Sequence, residues 1–325
     1  MKNSEYKEIE NKVIAEIVER LQAMARKAIS DNYTISSNKV TQAMVDEAQD
    51  VLTSLLDIKE VEEFNNILLK LFTVIPRKMG CVSDYLANSS NDFSKIIQKE
   101  QDLLDVMKGQ VVQKQVIEET KAEDDVKTKN TILEQLGLVF EECDKKDIAV
   151  IKDALGSCSD KFYKAWKVKN LKTQKRFDDF VKENNITETK LLFHGSRNEN
   201  WWSIINSGLV LKPTNAVITG KMFGYGIYYA PKARKSLGYT SLSGSYWVRG
   251  DSNFGFMALM DVAYGKPYDV YSFDSKYYNF DYGKLQSVCP GANCLHAHAG
   301  DMLRNDEIIV YKEEQCTIKY LIELR

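Results

Sequence analysis

The sequence predicts an α+β protein in which an N-terminal all-helical bundle is followed by a mainly antiparallel β domain. Through the first 120 residues, apolar side chains recur every three or four positions, as on one face of a helix. Beyond residue 130 the apolar runs are short and bounded by glycines, and most of the 17 glycines lie there. A charged, apolar-poor stretch over 121–130 separates the two patterns. We therefore predict domains at 1–128 and 129–325.

Four amphipathic helices are predicted in the N-terminal domain. Their buried faces are expected to consist of Ile14, Ile17, Val18, Leu21, Ala25 and Ala28; Met44, Ala48, Val51, Leu52 and Leu55; Phe64, Ile67, Leu68, Leu71 and Phe72; and Ile96, Ile97, Leu103, Leu104 and Met107. Pro76 and Gly80 should end the third helix, and the fourth should start at Asp92. Because glycine and proline are otherwise scarce here, the pattern indicates a helical bundle.

The C-terminal domain is expected to contain short strands separated by turns. Apolar runs at 191–195, 226–230, 254–264 and 307–311 are candidates for these strands. The last strand alternates, with Cys316, Ile318, Tyr320, Ile322 and Leu324 on one face and Thr317, Lys319, Glu323 and Arg325 on the other. Strands without regular intervening helices favour an antiparallel sheet over βαβ winding.

Composition and charge exclude several classes of protein. An apolar content of 44% and a charged content of 28% are average for a globular chain. No apolar run reaches the roughly 18 residues of a membrane-spanning helix, and the charged N-terminus is unlike a secretory signal. Six cysteines are too few for a disulfide scaffold and are expected to be reduced. We therefore predict an intracellular protein, cytoplasmic in a prokaryote or nuclear in a eukaryote, without membrane contact.

The net charge of −2 hides an asymmetry between the two predicted domains. Residues 1–128 carry 17 basic and 23 acidic side chains, and the remainder carries 27 and 23. Nucleic-acid binding normally requires a basic surface, because affinity depends on neutralising phosphates. The N-terminal domain has none, and the sequence contains no recognisable DNA-reading module.

Three short motifs contain residues suited to chemistry. His194, Gly195 and Ser196 end an apolar strand, where an imidazole and a hydroxyl could bind a nucleotide; the alternative is a hydrogen-bonded core histidine. In GKMFGYGIYYA the glycines precede a strand rather than a helix, which argues against a dinucleotide fingerprint. Tyr228 could instead stack on a planar ring or pack in the core. Glu307 starts the strand EIIVY, either in solvent or facing a cleft.

The order and spacing of these motifs resemble those of the poly(ADP-ribose) polymerase family. Its His-Tyr-Glu triad would be His194, Tyr228 and Glu307. Two flanking segments are also similar to family segments, namely LLFHGSRNENWWSIINSGL and PTNAVITGKMFGYGIYYAPKARKSLGY. A third, LFTVIPRKMG, resembles part of the family's helical regulatory subdomain. The resemblance spans nearly the whole chain.

The resemblance implies a role for each matching residue. His194 would bond the adenosine ribose, with Ser196 and Asn200 near the same nucleoside. The Gly195 backbone and Ser236 would hold the nicotinamide carboxamide, and Tyr228 and Tyr239 would sandwich its ring. Glu307 would bond the 2′-hydroxyl of the nicotinamide ribose and polarise the acceptor, with Lys235 beside it.

The resemblance also implies an activity and partners. The chain would cleave the nicotinamide–ribose bond of NAD, its co-substrate, without requiring a metal, and transfer ADP-ribose to protein acceptors including itself. Glu307 and the loop containing Met222 favour polymer elongation; the alternatives are a mono-ADP-ribosyltransferase and a catalytically silent NAD-binding sensor. The helical domain would restrain NAD entry. DNA activation would need contacts that the sequence does not reveal.

Two positions depart from the family pattern, and two further motifs have competing interpretations. Val210 stands where an Arg often holds the adenosine side, and Lys221 replaces a frequent Tyr; both put NAD affinity in question. Cys289, Cys294, His296 and His298 could bind zinc, but their cramped spacing favours a polar loop. The basic stretch at 167–176 is predicted to be a solvated surface turn rather than a targeting patch.

Overall fold

Four long helices form the N-terminal part of the chain, in a computed structural model that describes residues 6–123, 130–211, 222–243, 250–300 and 303–325. They are α1 (Lys12–Asn32), α2 (Gln42–Ser54), α3 (Val61–Val74) and α4 (Phe93–Glu123). The Asn11 side chain caps α1 by accepting from the amides of Val13 and Ile14, and Thr41 caps α2 through the amide of Met44. Short 3₁₀ turns connect the helices. The predicted helical bundle is confirmed.

The buried faces follow the predicted periodicity closely. Ile14, Ile17 and Leu21 in α1 are at most 3% exposed, and Phe64 and Leu68 in α3 are fully buried. The long α4 packs against α1, α2 and a later helix, α8 (Trp201–Ser207). A helix enclosed on several sides lacks a single solvated stripe, which is why its sequence pattern is less regular.

The C-terminal part contains two sheets. The first has the strand order β1-β2-β9-β5-β3 and the second the order β4-β8-β7-β6. The strands are β1 (Leu138–Glu142), β2 (Phe162–Asn170), β3 (Lys190–Gly195), β4 (Ile227–Tyr229), β5 (Gly255–Val262), β6 (Pro267–Val270), β7 (Cys294–Ala297), β8 (Glu307–Val310) and β9 (Cys316–Leu324). All pairs are antiparallel except β6 with β7. The predicted α+β class is confirmed.

Helices also connect these strands, more of them than the sequence pattern suggested. Besides α8 they are α5 (Ile132–Gln135), α6 (Lys145–Leu155), α7 (Leu171–Glu183), α9 (Ala233–Leu237) and α10 (Tyr282–Val288). The prediction of a surface turn at 167–176 is wrong, because its first half belongs to β2 and its second half to α7. Asn170 marks the change, since its side chain caps α7 by accepting from the amides of Lys172 and Thr173.

Strand β9 alternates in sequence, yet both of its faces are buried. Thr317 is 2% exposed and Glu323 is fully buried, although both lie on the polar face. The carboxylate of Glu323 is paired with Arg20 of α1, at 2.9 Å, and with Arg325. Buried carboxylates require such partners. The central position of β9 in the first sheet, between β2 and β5, accounts for this burial.

The helical part and the sheet part share one hydrophobic core. Trp201 and Trp202 of α8 are fully buried in the cluster that contains the cores of α1 and α4. The Trp202 indole donates to Gln113 Oε1 at 2.8 Å, and the Ser203 hydroxyl donates to the Asp105 carbonyl at 2.8 Å. Helix α4 therefore lies directly against the sheet domain. Of the predicted linker at 121–130, residues 124–129 lie outside the described part of the chain.

Across the described ranges, no helix combines the length and apolar character that crossing a membrane requires.

Candidate functional site

One large cleft opens between α4 and the edges of β3, β4 and β8. Its empty space, including the part open to solvent, is about 1430 Å³. The cleft is lined from the sheet side by residues of the three sequence motifs and from the helical side by Gln98, Asp102, Asp105 and Lys108. Ligand contacts can therefore come from both parts of the chain.

His194 is the next-to-last residue of β3, and its ring lines the cleft. Its Nδ1 lies 3.2 Å from the Tyr228 carbonyl oxygen, which can only accept. Burial lowers the pKa of His194 to about 4, so the ring is neutral near pH 7. With the proton on Nδ1, Nε2 carries a lone pair that can accept a hydrogen bond from a ligand hydroxyl.

Gly195 lets two chain segments approach each other closely. A Cβ at this position would overlap the Ser236 carbonyl oxygen and lie 3.3 Å from Tyr239 Cβ. Any side chain here would push α9 and its following turn away from β3. The Ser236 hydroxyl donates to the Phe193 carbonyl at 3.1 Å, which fixes its oxygen beside the cleft. Gly195, Ser236 and Tyr239 thus form one wall of the site.

The glycine-rich turn before β4 positions Tyr228. Gly224 has a φ of +74°, and a Cβ there would overlap the Phe280 carbonyl oxygen. The Tyr228 hydroxyl donates to the Gly224 carbonyl at 3.0 Å and accepts from the Phe223 amide at 3.1 Å. The Tyr228 carbonyl in turn accepts from His194. Both the hydroxyl and the backbone of this tyrosine are therefore fixed. The ring lines the cleft as a rigid planar surface.

Glu307 is the first residue of β8 and is 7% exposed. Its carboxylate forms an ion pair with the Lys235 ammonium group on α9. Burial raises the pKa of the nearby Tyr239, although Lys235 acts in the opposite direction. The Glu307 carboxylate thus lies in a nearly enclosed part of the cleft. The alternative, a solvated residue at a strand end, does not hold.

A second carboxylate enters the cleft from the helical side. Asp102 of α4 accepts a hydrogen bond from Asn200 Nδ2 at 3.3 Å, and the same Nδ2 donates to Ser196 Oγ at 3.1 Å. Burial, reinforced by the neighbouring charges of Asp105 and Glu199, raises the pKa of Asp102 to about 7. Asn200 Oδ1 is buried without a partner, as expected of an acceptor kept for a ligand donor.

The raised pKa of Asp102 gives a stability prediction. The folded chain holds Asp102 protonated up to about pH 7, whereas the unfolded chain ionises it near pH 3.8. Stability is therefore lost as the pH rises through this window. We expect Asp102→Asn to raise the melting temperature at pH 8 by several degrees, with a gain that shrinks as the pH falls towards 4.

Thermal unfolding at several pH values measures this effect. Asp84→Asn, on an exposed 3₁₀ turn, is the matched control and should leave the profile unchanged. If Asp102→Asn instead lowered the melting temperature at pH 8, this would contradict the predicted loss of stability on ionising Asp102.

The structure brings the predicted site residues together around this cleft. All of them line it: His194, Gly195, Ser196, Asn200, Tyr228, Lys235, Ser236, Tyr239 and Glu307. Val210 lines it too, whereas Lys221 lies outside the described residues. The roles implied for these residues stay predictions. Sequence reasoning missed the contribution of α4, because a helical pattern does not reveal which polar residue of a helix faces another domain.

The structure does not bring the four proposed zinc ligands together. Within the described residues, the side chains close enough together to share a metal ion are His296, His298 and Asp269, and they include neither Cys289 nor Cys294. The buried Cys294 thiol instead donates to the Tyr264 carbonyl oxygen. The interpretation as a plain polar loop is also incomplete, because residues 294–297 form β7.

Comparison with known proteins agrees with the geometry of the cleft. The family model for the poly(ADP-ribose) polymerase catalytic domain matches residues 145–325, more than half of the chain. The chain therefore belongs to the poly(ADP-ribose) polymerase catalytic-domain family.

Several relatives bear the family name. The poly(ADP-ribose) polymerase-like protein 100L of Invertebrate iridescent virus 6 is 32% identical over 190 residues, which cover 57% of this chain and 97% of that protein. Poly(ADP-ribose) polymerase 2 of Arabidopsis thaliana is 30% identical over 171 residues, 46% of this chain and 25% of its own length. The poly(ADP-ribose) polymerase of Sarcophaga peregrina is 26% identical over 241 residues, 70% of this chain and 23% of its own.

The chain thus spans nearly all of the viral relative but about a quarter of the plant and insect polymerases. Family membership supports ADP-ribosyltransferase activity with NAD as the substrate.

Proposed function

We propose that the chain cleaves the nicotinamide–ribose bond of NAD and transfers ADP-ribose to protein acceptors, including itself. The observation that carries this proposal is the convergence of a neutral imidazole, a fixed tyrosine ring and a buried carboxylate on one cleft. The proposed partners are NAD and acceptor proteins.

The binding residues divide between the two ends of the dinucleotide. His194 Nε2 would accept from a hydroxyl of the adenosine ribose, beside Ser196 and the unpartnered Asn200 Oδ1. Ser236 and the Gly195 backbone would hold the nicotinamide carboxamide, and Tyr228 with Tyr239 would enclose the ring. A leaving group enclosed between two rings, one of them fixed, is held in its reacting orientation, which lowers the entropic part of the barrier.

Glu307 would act on the reacting ribose. Cleavage of the bond between nicotinamide and C1′ builds positive charge on the sugar ring, and hydrogen bonds to the 2′-hydroxyl strengthen as it develops. A carboxylate accepting from that hydroxyl stabilises the charge and can also take the proton of an incoming acceptor hydroxyl. Lys235 would fix the carboxylate in place before the substrate enters.

The proposal divides the chain into a helical regulatory domain, 1–128, and a catalytic domain, 129–325. We infer that the helical domain limits NAD entry, because Gln98, Asp102 and Asp105 of α4 form one wall of the cleft. Helix α4 must then shift for an extended dinucleotide to bind. Deletion of the helical domain would expose the two tryptophans of α8, so substitutions within the bundle test this inference more cleanly.

We further propose that the product is a polymer. Support comes from the buried carboxylate of Glu307, which can activate a ribose hydroxyl of an earlier ADP-ribose unit. The resemblance of the loop containing Met222 to the family pattern supports it as well. A mono-ADP-ribosyltransferase uses the same first step but stops after one unit. A silent NAD-binding sensor would bind NAD without releasing nicotinamide.

The experiment is incubation of the purified chain with labelled NAD, resolved by gel electrophoresis. We expect heterogeneous labelled protein of high mass, and no elongation with Glu307→Gln. A single discrete labelled band would reduce the proposal to mono-ADP-ribosyl transfer, and unlabelled protein would contradict automodification. Parallel reactions with and without nicked DNA report whether DNA contributes.

A further inference from the structure

A second group of titratable side chains lies outside the cleft, in the second sheet. Asp269 of β6 and His296 of β7 are direct partners in the parallel pairing of these strands. His298 follows β7, and its amide donates to the Val270 carbonyl at 2.8 Å. Asp306 directly precedes Glu307 at the start of β8. The group therefore joins three neighbouring segments of the sheet.

The donor atoms of this group lie close to one another. One ligand atom from each of Asp269, His296 and His298 lies within 4.8 Å of the other two. His298 Nε2 is 2.7 Å from Asp269 Oδ1, and His296 Nε2 is 3.1 Å from Asp306 Oδ2. Asp306 Oδ2 also lies 3.8 Å from His298 Nδ1, so this carboxylate is a second oxygen donor next to the two histidines. Two imidazoles with carboxylates form a donor set typical of Zn²⁺ and similar divalent ions.

Neighbouring residues orient these side chains. The Tyr264 hydroxyl lies 2.8 Å from His296 Nδ1 and can accept from it once a metal replaces the proton that Nε2 shares with Asp306. The Ala299 amide donates to Asp306 Oδ1 at 2.8 Å, which leaves Oδ2 for the histidines. The Tyr271 ring stacks on His298 with centroids 4.4 Å apart. The hydrogen bonds to His296 and Asp306 are the kind of outer contact that orients metal ligands.

We propose that Asp269, His296 and His298, completed by Asp306, bind one Zn²⁺ ion outside the NAD cleft. The two imidazole rings stack at 3.9 Å, and they must turn apart for both Nε2 atoms to reach one ion. Access allows this, because the side chains of Asp269 and His298 are 42% and 24% exposed. A bound ion would fasten β6, β7 and the residue before Glu307 together, and so stiffen the strand end that carries the carboxylate.

Titration of the metal-stripped full-length chain with ZnCl₂ tests the proposal, by calorimetry and by competition with a chromophoric chelator. We expect one saturable site per chain and a melting temperature that rises with added Zn²⁺. Asp269→Asn and His298→Ala should each weaken binding by about tenfold or more. Cys289→Ser is the matched control and should bind Zn²⁺ as the parent does.

The variants separate this site from binding elsewhere on the chain. Absence of a saturable site would overturn the proposal, and so would binding that neither substitution weakens. Loss of binding in Cys289→Ser would instead assign the metal to the cysteine-containing loop and would equally overturn it. Near-UV circular dichroism of each metal-free variant checks that the sheet is intact. Because the readout is metal binding, it is independent of transferase activity.

Discussion

Glu307→Gln is expected to lower kcat for nicotinamide release by a factor of about 10²–10³, with a much smaller change in the KM for NAD. The amide keeps the size of the carboxylate and can still accept a hydrogen bond from a ribose hydroxyl. It lacks the negative charge that stabilises the positive sugar ring, and it cannot take a proton from the acceptor. The loss therefore falls on the transition state and not on the ground state.

Steady-state kinetics of nicotinamide release measure both parameters. Glu314→Gln, on the 3₁₀ turn between β8 and β9, is the matched control and should retain parental rates. Equal losses in kcat for the two variants, or a Glu307→Gln effect confined to KM, would contradict a catalytic role. The melting temperature of each variant shows how much stability is lost when the ion pair between residue 307 and Lys235 is broken.

Phe64→Ala is expected to raise NAD turnover by roughly threefold or more at NAD concentrations below KM, if α4 limits entry. The Phe64 ring is fully buried in α3 and stacks on Phe93, the first residue of α4, with centroids 3.9 Å apart. Removal of a buried phenyl ring costs about 3–5 kcal/mol. This loosens the start of α4 without altering any residue of the cleft.

The control for this prediction lies on the same helix. Leu69 is 37% exposed, so Leu69→Ala should change neither stability nor turnover appreciably. Phe64→Leu gives a graded version that retains more of the core. Near-UV circular dichroism shows whether the catalytic fold is intact in both Phe64 variants. If it is, and NAD turnover stays level or falls in both, the helical domain does not restrain NAD entry.

The sequence was sufficient for the four long N-terminal helices and for β3, β4, β5, β8 and β9, because their apolar patterns are set by burial. It did not reveal the short helices between the strands. It was misleading at β9, where Glu323 looks like a surface residue but is paired with Arg20 of α1. That partner lies 303 positions away in the chain. No local pattern encodes such a long-range ion pair, and the same limitation applies to Asp102 and its neighbours in the cleft.

The candidate site was predictable for a different reason. His194, Tyr228 and Glu307 could each have an ordinary structural role, and only their order and flanking segments suggested a common cleft. The group proposed to bind Zn²⁺ shows the opposite case. Both of its histidines were visible in the sequence, but the sequence paired them with nearby cysteines that the structure places outside the group. Asp269 joins the histidines only through the parallel pairing of β6 with β7.

The release of nicotinamide from NAD by the purified chain tests the proposed activity most directly. We expect release that depends on enzyme concentration, is accompanied by ADP-ribose bound to protein, and is nearly abolished in Glu307→Gln. Saturable NAD binding without any nicotinamide release, in chain shown to be folded, would contradict the proposed activity and leave a cleft that only binds the dinucleotide.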